Sequence, residues 1–347
     1  MKFRESITYD DMLIVPQYSD IKSRGEVDIS NTLGDDLFTL PVIASPMDTV
    51  SEGEMAVAMA DHGGLAILHR YNSIDEQIRM AHEVIGRIGP ERRVGAAIGV
   101  TGEFLDRADA LITAGIRILC VDVAHGHHLL VKNALQTLRK HYSDSIYIIA
   151  GNVCTLEGIN DLADWGANAV RCNIGGGSIC STRLVTGHGL PGLQTIFDCA
   201  RTDRDVKIIA DGGIKTSGDI VKALAAGADF VMCGSLLAGT TESPGKIITL
   251  PDSTRAKEYR GMASKDAQLD WRNKSSTPEG VASYIPYKGS VKDILADLEG
   301  GIRSGFSYTG ARNLAELQHK VEWARQTSAG SLESGTHILN TDNARRK

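Results

Sequence analysis

The chain has 347 residues, of which 42% are hydrophobic and 23% charged, so it is long enough to bury a large core and is neither disordered nor fibrous. Its formal net charge of −6 offers no basic surplus for binding a phosphate backbone, so we expect no nucleic-acid partner. The N-terminal MKFRESITYDD lacks the apolar core of a signal peptide, and no apolar run approaches the ~20 residues that span a bilayer, so we expect a cytoplasmic protein without membrane association.

Short runs rich in β-branched residues alternate with amphipathic helical stretches from residue 41 to residue 235. This alternation is typical of a parallel sheet wrapped by helices, and eight such runs predict one (β/α)8 TIM barrel, an α/β fold, as a single catalytic domain of residues 1–347. The predicted strands are 41–45, 65–70, 93–99, 118–124, 147–152, 169–175, 207–213 and 230–235, and the predicted helices include 52–61, 103–114, 127–140, 156–165 and 217–226.

Six of these runs end in a small, polar or titratable residue. Any one of them is as well explained by a helix cap or a turn, but six together favour the C-terminal rim on which barrel active sites are built. They are Ser45, His69, Asp122, Asn152, Asp211 and Ser235.

Beyond residue 235 the pattern changes. Residues 252–290 are polar and rich in glycine and serine, which predicts an irregular segment, and within it we expect 262–288 to form a mobile flap over the barrel mouth. A last helix is predicted at 291–304, followed by a C-terminal tail at 326–347 of low apolar content.

The loop NIGGGSICSTR, from Asn173 to Arg183, follows the sixth predicted strand. Its glycines allow a ligand to approach the backbone closely, and Ser178 with the loop amides can bind phosphate oxygens. Cys180 lies on this loop between polar neighbours, where the amides and Arg183 could stabilise a thiolate, so we predict a nucleophile. We expect the other cysteines to be reduced, inert thiols: Cys120, Cys154, Cys172, Cys199 and Cys233.

A second glycine loop, IIADGGI at 208–214, and the pair GS at 234–235 follow the last two strands and predict a phosphate site, with Asp211 either accepting from ribose hydroxyls or capping its loop. GHGLPG at 187–192 fits a dinucleotide motif by letter only, because no strand precedes it. HGHH at 125–128 has no matching carboxylate or cysteine, which favours a solvated loop over a metal site.

At these residues the chain resembles the IMP dehydrogenase/GMP reductase family over nearly its whole length. The motifs TYDDMLIVP, SPMDTVSE, AGNV, GGGSICSTR, ADGGI, GSLLAGTTESPG, YRGMAS, PEG and PYKGSV occur in family order. The resemblance implies that Cys180 attacks C2 of a purine nucleotide and that hydride then passes to a nicotinamide cofactor, or the reverse in the reductase.

The resemblance also implies roles for individual residues. Thr182 and Glu279 match the residues that handle water or ammonia, while Ser178, Asp211, Gly213, Gly234, Ser235 and Tyr259 match contacts to phosphate and ribose. Ser45, Met47 and Met262 match purine-pocket positions, and Asp122 and Asn152 match positions near the dinucleotide. Cys172, Asn173 and Ala263 depart from the residues that are usual in the family.

The sequence contains features of both branches of the family, and they favour the dehydrogenase. SPMDTVSE, GSLLAGTTESPG, YRGMAS and PEGVASYIPYKG resemble the dehydrogenase, which uses NAD, and we predict oxidation of IMP. The CBS domains that usually interrupt dehydrogenases are absent at 87–94, and the flap offers only Trp271 and Arg272 where dehydrogenases carry an Arg-Tyr pair whose arginine is the base. An NADPH-dependent GMP reductase and a catalytically weak nucleotide-binding barrel therefore remain alternatives.

The tail segment LESGTH, at 332–337, resembles the cation segment of the dehydrogenase. The resemblance implies a homotetramer in which this segment lies against a neighbouring subunit's Cys180 loop. A potassium ion would then be held by Gly175, Gly177 and Cys180 of one subunit and by Glu333, Ser334 and Gly335 of the other.

Overall fold

The computed structural model describes residues 3–89, 91–274 and 276–335. In chain order the strands are β1 Met12–Ile14, β2 Asn31–Leu33, β3 Asp36–Phe38, β4 Val42–Ala44, β5 Leu65–Leu68, β6 Gly95–Ile98, β7 Ile118–Asp122, β8 Tyr147–Val153, β9 Ala169–Cys172, β10 Lys207–Asp211, β11 Phe230–Cys233, β12 Ile248–Thr249, β13 Arg255–Arg260, β14 Ala282–Pro286 and β15 Trp323–Arg325. The helices are α1 Gly53–Asp61, α2 Ile74–Ile88, α3 Phe104–Thr113, α4 Leu129–Tyr142, α5 Leu156–Asp164, α6 Thr182–Thr186, α7 Gly192–Cys199, α8 Ser217–Ala225, α9 Lys265–Arg272, α10 Val291–Tyr308, α11 Leu314–Lys320 and α12 Ser328–Glu333.

Strands β4 to β11 form a closed parallel barrel in sequence order, with β11 pairing back onto β4. Each of the eight predicted runs overlaps one of these strands, so the predicted (β/α)8 architecture is confirmed. Helices lie between consecutive barrel strands, and local sequence signals define where they begin. Before α8, for example, the Thr216 side chain accepts from the Asp219 amide and the Asp219 carboxylate accepts from the Thr216 amide, which forms a capping box.

Along each barrel strand the side chains point alternately into and out of the barrel. This period of two residues determines which side chains reach the C-terminal rim. The interior is filled by one apolar cluster: Ile43, Leu65, Ile67, Ala97, Ile118, Cys120, Ile149, Ala169, Ile209, Phe230 and Met232. Positions two residues further along the same strands face the same way. Asp122 follows Cys120, Arg171 follows Ala169 and Asp211 follows Ile209, so three charged side chains converge at the C-terminal end of the barrel.

The opposite end of the barrel is closed by the β2–β3 hairpin. Leu33 and Phe38 belong to the interior cluster, and the Phe38 ring packs edge-on against Phe230 with centroids 5.9 Å apart. The Asn31 side-chain amide donates to the Asp229 carbonyl, just before β11 begins. In the described part of the chain this hairpin covers the N-terminal end of the barrel.

The prediction of an irregular segment at 252–290 is wrong. Strands β12, β13 and β14 form an antiparallel sheet, with Ala256 opposite Pro286 and Arg260 opposite Ala282, and α9 lies between β13 and β14. β13 contains several charged residues, so its sequence does not look like that of a half-buried strand. Lys257 is buried, and the free-energy cost of burying its ammonium is offset by hydrogen bonds to the carbonyls of Thr240, at 3.0 Å, and Ser243, at 2.5 Å.

Among the described residues, none of the helices has the length and apolar character needed to cross a membrane.

Candidate active site

Cys180 is exposed on the loop between β9 and α6 and begins a chain of three polar groups. Its thiol donates to the Thr182 hydroxyl at 3.2 Å, and that hydroxyl donates to Glu279 Oε2 at 2.8 Å. A carboxylate can accept the proton that the hydroxyl gives up, so the geometry provides a short path for moving a proton to or from the face of Cys180.

Glu279 lies 97 residues from Thr182 in sequence, and backbone pairing brings the two together. The Ser181 amide donates to the Glu279 carbonyl at 2.9 Å, and the Val281 amide donates to the Ile179 carbonyl at 3.0 Å. The segment that leads into β14 therefore runs alongside the Cys180 loop and fixes the carboxylate beside it.

The glycine turn after β10 packs directly against the Cys180 loop. A Cβ atom on Gly212 would lie 3.3 Å from the Gly177 nitrogen and Cα, and one on Gly213 would lie 3.2 Å from the Gly176 carbonyl oxygen. Both Gly212 and Gly213 also have positive φ angles of 80° and 77°, which favour glycine. The two predicted phosphate loops thus form one surface of backbone.

The turn after β11 completes this surface. A Cβ atom on Gly234 would approach the Tyr259 hydroxyl to 2.8 Å and the Met47 sulfur to 3.2 Å. Burial raises the pKa of Tyr259 to about 12, and a hydrogen bond with Ser178 opposes that shift. The phenol is therefore neutral at physiological pH and can donate a hydrogen bond to a bound anion.

These loops enclose a cavity of about 510 Å³ at the C-terminal end of the barrel. It is lined by sixteen of the residues that the sequence analysis selected: Ser45, Met47, Asp122, Asn152, Gly175, Gly177, Ser178, Cys180, Thr182, Asp211, Gly213, Gly234, Ser235, Tyr259, Met262 and Glu279. A volume of this size suits a ligand of nucleotide dimensions.

Comparison with known proteins identifies the family. The sequence profile of the IMP dehydrogenase / GMP reductase domain matches residues 6–337. The chain belongs to the IMP dehydrogenase/GMP reductase family. It is 33% identical to the inosine-5'-monophosphate dehydrogenase of Nitrosopumilus maritimus, across 97% of this chain and 99% of that protein, and 33% identical to the GMP reductase of Leishmania major, across 96% and 97%.

A solved structure supports the same assignment. The fold is similar to that of a cysteine-to-alanine variant of GMP reductase from Trypanosoma brucei in complex with guanosine 5'-monophosphate, with a TM-score of 0.91, 32% identity and coverage of 96% of this chain and 98% of that chain. The chain is thus an enzyme of this family of nicotinamide-dependent oxidoreductases. The sequence alignments with the two relatives above extend over 473 and 479 positions, more than the 347 residues of this chain, so those proteins contain residues without a counterpart here.

Within this family site, sequence reasoning missed Arg171. Its buried guanidinium contacts Asp122 Oδ1 at 2.5 Å and Asp211 Oδ2 at 2.8 Å, and Asn152 Nδ2 donates to the same Asp211 oxygen at 2.7 Å. Burial disfavours the charged guanidinium, but the carboxylates of Asp211 and Asp122 outweigh it and raise the pKa of Arg171 well above its ordinary value. Arg171 therefore holds both predicted ligand-binding carboxylates in place.

The arginine of the Cys180 loop does not act as expected. Arg183 was predicted to stabilise a thiolate, but its guanidinium donates to the Ile174 carbonyl at 3.1 Å, to Asn173 Oδ1 at 3.3 Å and to the Leu190 carbonyl. Cβ atoms on Gly175 or Gly189 would overlap its side chain. Arg183 therefore supports the loop backbone, which is a correction to the role that its position in the sequence suggested.

The remaining selected residues lie elsewhere. Glu333 ends α12, and with Ser334 and Gly335 it belongs to a segment that packs near the N-terminal residues Tyr9–Asp11 of its own chain. Arg272 ends α9, but its side chain is outside the described part of the structure, as are residues 336–347 of the tail. In the HGHH loop, His127 pairs with Asp161 at 2.8 Å and His128 caps α4.

Proposed function

We propose that this protein is an IMP dehydrogenase that oxidises IMP to XMP with NAD through a covalent adduct on Cys180, in the synthesis of guanine nucleotides. The single observation that supports it best is the Cys180–Thr182–Glu279 chain, at 3.2 and 2.8 Å, at the edge of a nucleotide-sized cavity. The dehydrogenase-like motifs of the sequence favour this direction.

The cavity offers a place for each part of IMP. Ser178, Gly213, Gly234 and Ser235, with the Tyr259 phenol, present hydrogen-bond donors for the phosphate. Asp211 uses Oδ2 for Arg171 and Asn152, so Oδ1 is left to accept from ribose hydroxyls. The purine ring then lies against Ser45, Met47 and Met262, which line the same cavity.

In the first step the sulfur of Cys180 forms a bond to C2 of the hypoxanthine ring, while the C2–N3 double bond opens and the thiol proton passes to N3. C2 is then tetrahedral and able to release its hydrogen with both bonding electrons. A bound nicotinamide supplies the acceptor for that hydride. Water then adds to C2. As the carbon–sulfur bond breaks, the new hydroxyl on C2 gives its proton to the sulfur, which leaves the C2 carbonyl of XMP and returns the thiol. The Thr182 hydroxyl and the Glu279 carboxylate accept the proton of this water.

Other residues of the same cavity suit a dinucleotide. Asp122 and Asn152 line the same cavity, and a second cavity of about 310 Å³ adjoins it with Arg70 in both walls. Among the described residues Arg70 Nε is buried without a hydrogen-bond partner, and the nearest carboxylate oxygen in an ion pair with it, Asp122 Oδ2, is 3.9 Å away. A cationic donor between two cavities fits the pyrophosphate that joins the two halves of NAD or NADPH.

The flap proposed at 262–288 contains α9, and side-chain contacts of Trp271 and Asp270 connect this helix to the loops of the barrel. Trp271 stacks on Tyr71 with centroids 5.6 Å apart and planes 15° apart. Arg260 binds Asp270 at 2.5 Å and Asp48 at 2.7 Å, which connects α9 to the loop after β4. We propose that these contacts close the flap over the substrate and open when product leaves.

We also propose a homotetramer with a potassium ion at each Cys180 loop. Carbonyl oxygens suit potassium, and the loop offers those of Gly175, Gly177 and Cys180. The Gly177 carbonyl accepts from the Cys180 amide at 3.1 Å, which leaves it a second lone pair. The other ligands, Glu333, Ser334 and Gly335, would come from a second copy of the chain.

GMP reductase is the second candidate, because the solved relative with a TM-score of 0.91 is a GMP reductase in complex with guanosine 5'-monophosphate. The Thr182–Glu279 pair would then deliver a proton to the ammonia that leaves C2, with NADPH as the reductant. Absorbance at 340 nm distinguishes the candidates. We expect a rise with IMP and NAD; a fall with GMP and NADPH would assign the reductase, and no change in either mixture would indicate a catalytically weak nucleotide-binding barrel.

A further inference from the structure

Asn173 lies at the point where β9 gives way to the Cys180 loop, and its backbone is unusual. Its φ angle is +147°, in the region that favours glycine, and the residue is almost fully buried. This φ angle is uncommon for a residue with a side chain, yet the position is occupied by asparagine. The carboxamide of Asn173 therefore occupies a position at which the backbone alone would favour glycine.

The Asn173 carboxamide connects two loops. Its Nδ2 donates to the Gly212 carbonyl in the turn after β10 at 3.3 Å, and its Oδ1 accepts from Arg183 at 3.3 Å. The Asn173 carbonyl accepts from Asn152 Nδ2 at 3.0 Å. One residue thus contacts the loop of the nucleophile, the turn of the phosphate site and a residue of the proposed dinucleotide site.

The carboxamide also fills the space beside Gly176. A Cβ atom built on Gly176 would lie 2.0 Å from Asn173 Nδ2, 2.7 Å from its Cγ and 2.8 Å from its Oδ1. Gly176 does not have a positive φ angle, so its backbone would accept alanine. The side chain of Asn173, and not the backbone of Gly176, therefore excludes a side chain at 176.

We propose that Asn173 is a positioning residue that occupies the space of a side chain at 176 and sets the separation between the Cys180 loop and the Gly212–Gly213 turn. These two segments meet with almost no free space, since a Cβ atom on Gly213 would lie 3.2 Å from the Gly176 carbonyl oxygen. The inference rests on the proposed function, in which the nucleotide phosphate is held between these two loops and the purine is thereby aligned with the sulfur.

A double-mutant cycle tests the proposal on the full-length enzyme. The variants are Gly176→Ala, Asn173→Gly and the combination of the two, with Gly86→Ala as control because a Cβ atom there meets nothing within 4 Å. We expect Gly176→Ala to raise the KM for the nucleotide at least tenfold in the wild-type background, with a smaller effect on kcat. In the Asn173→Gly background the same change should alter KM less than threefold.

An equal effect of Gly176→Ala in both backgrounds, or no effect in either, would overturn the proposal. If Gly176→Ala alone does not fold, the double variant should fold and bind nucleotide, and its failure to fold would equally overturn the proposal. Asn173→Asp keeps the shape but lacks the donor to the Gly212 carbonyl, so we expect it to raise KM as well.

A readout that needs no substrate separates this proposal from the proposed function. The rate at which iodoacetamide alkylates Cys180, followed by mass spectrometry of its peptide, reports the position of the loop. We expect Gly176→Ala to change this rate at least fivefold in the wild-type background and less than twofold with Asn173→Gly. If the protein gives that result but has no activity on IMP or GMP, the proposed function is rejected and the coupling between Asn173 and position 176 stands. Equal changes of the rate in both backgrounds would reject this coupling.

Discussion

Replacing Glu279 by glutamine tests which group removes the proton from water in the second half of the reaction. Glutamine keeps an oxygen that can accept from Thr182, so the 2.8 Å contact and the loop geometry should survive. It cannot accept the proton. General-base catalysis contributes about 10²- to 10⁴-fold to a rate, so we expect kcat of Glu279→Gln to fall by roughly that factor.

The same variant should still transfer hydride, because that step needs Cys180 and a bound cofactor and not the base. Rapid mixing with IMP and NAD should therefore show a burst of absorbance at 340 nm of normal amplitude, followed by a slow steady state. Glu83→Gln, which removes an exposed carboxylate from α2, is the matched control and should leave both phases unchanged.

Arg272 is the competing base. A guanidinium keeps its proton at neutral pH, so Arg272 is a poor base unless the closed flap desolvates it. We predict that Arg272→Ala retains at least tenfold more steady-state turnover than Glu279→Gln, with the burst preserved in both variants. The opposite ranking would show that Arg272 removes the proton and would refute the assignment to Glu279.

Four further experiments test the proposals made above. Cys180→Ala should abolish turnover and leave nucleotide binding measurable by calorimetry; activity within tenfold of wild type, a barrier change of about 1.4 kcal/mol, would refute the nucleophile. Arg171→Met leaves two carboxylates without their buried partner, so urea unfolding should show a loss of about 3–5 kcal/mol, and an unchanged stability would contradict its role. Trp271→Ala removes the stack on Tyr71, worth about 0.5–1.5 kcal/mol, so proteolysis within 273–278 should accelerate roughly three- to tenfold; an unchanged rate would show that the stack does not hold the flap. Sedimentation should show a tetramer; a monomer would reject both the assembly and the cation site, and activity independent of potassium would reject only the cation site.

The barrel itself could be predicted from the sequence because its strands are short, apolar and rich in β-branched residues. The sheet of β12, β13 and β14 could not be predicted, because its strands are partly exposed and contain charged residues. In β13 the only way to recognise Lys257 as buried is to know that the carbonyls of Thr240 and Ser243 surround its ammonium. That information comes from residues fourteen and more positions earlier in the chain.

The candidate site shows the same division. Cys180 and the glycine loops carry local signals that can be recognised in one stretch of sequence, and they do lie together. Arg171 could have been noticed as a charged residue within an apolar strand, in phase with Asp122 and Asp211. However, only the closed barrel shows that these three positions converge. The role of Arg183 depended on the path of its own loop, which no local pattern specifies.

The most direct test of the central claim is to trap the adduct on Cys180. Wild-type protein is mixed with IMP and NAD, quenched in acid during turnover and digested for mass spectrometry. We predict one nucleotide covalently attached to the peptide that contains Cys180, increased in Glu279→Gln and absent in Cys180→Ala. Steady turnover of IMP without any nucleotide on this peptide, or with the nucleotide on another residue, would contradict the account.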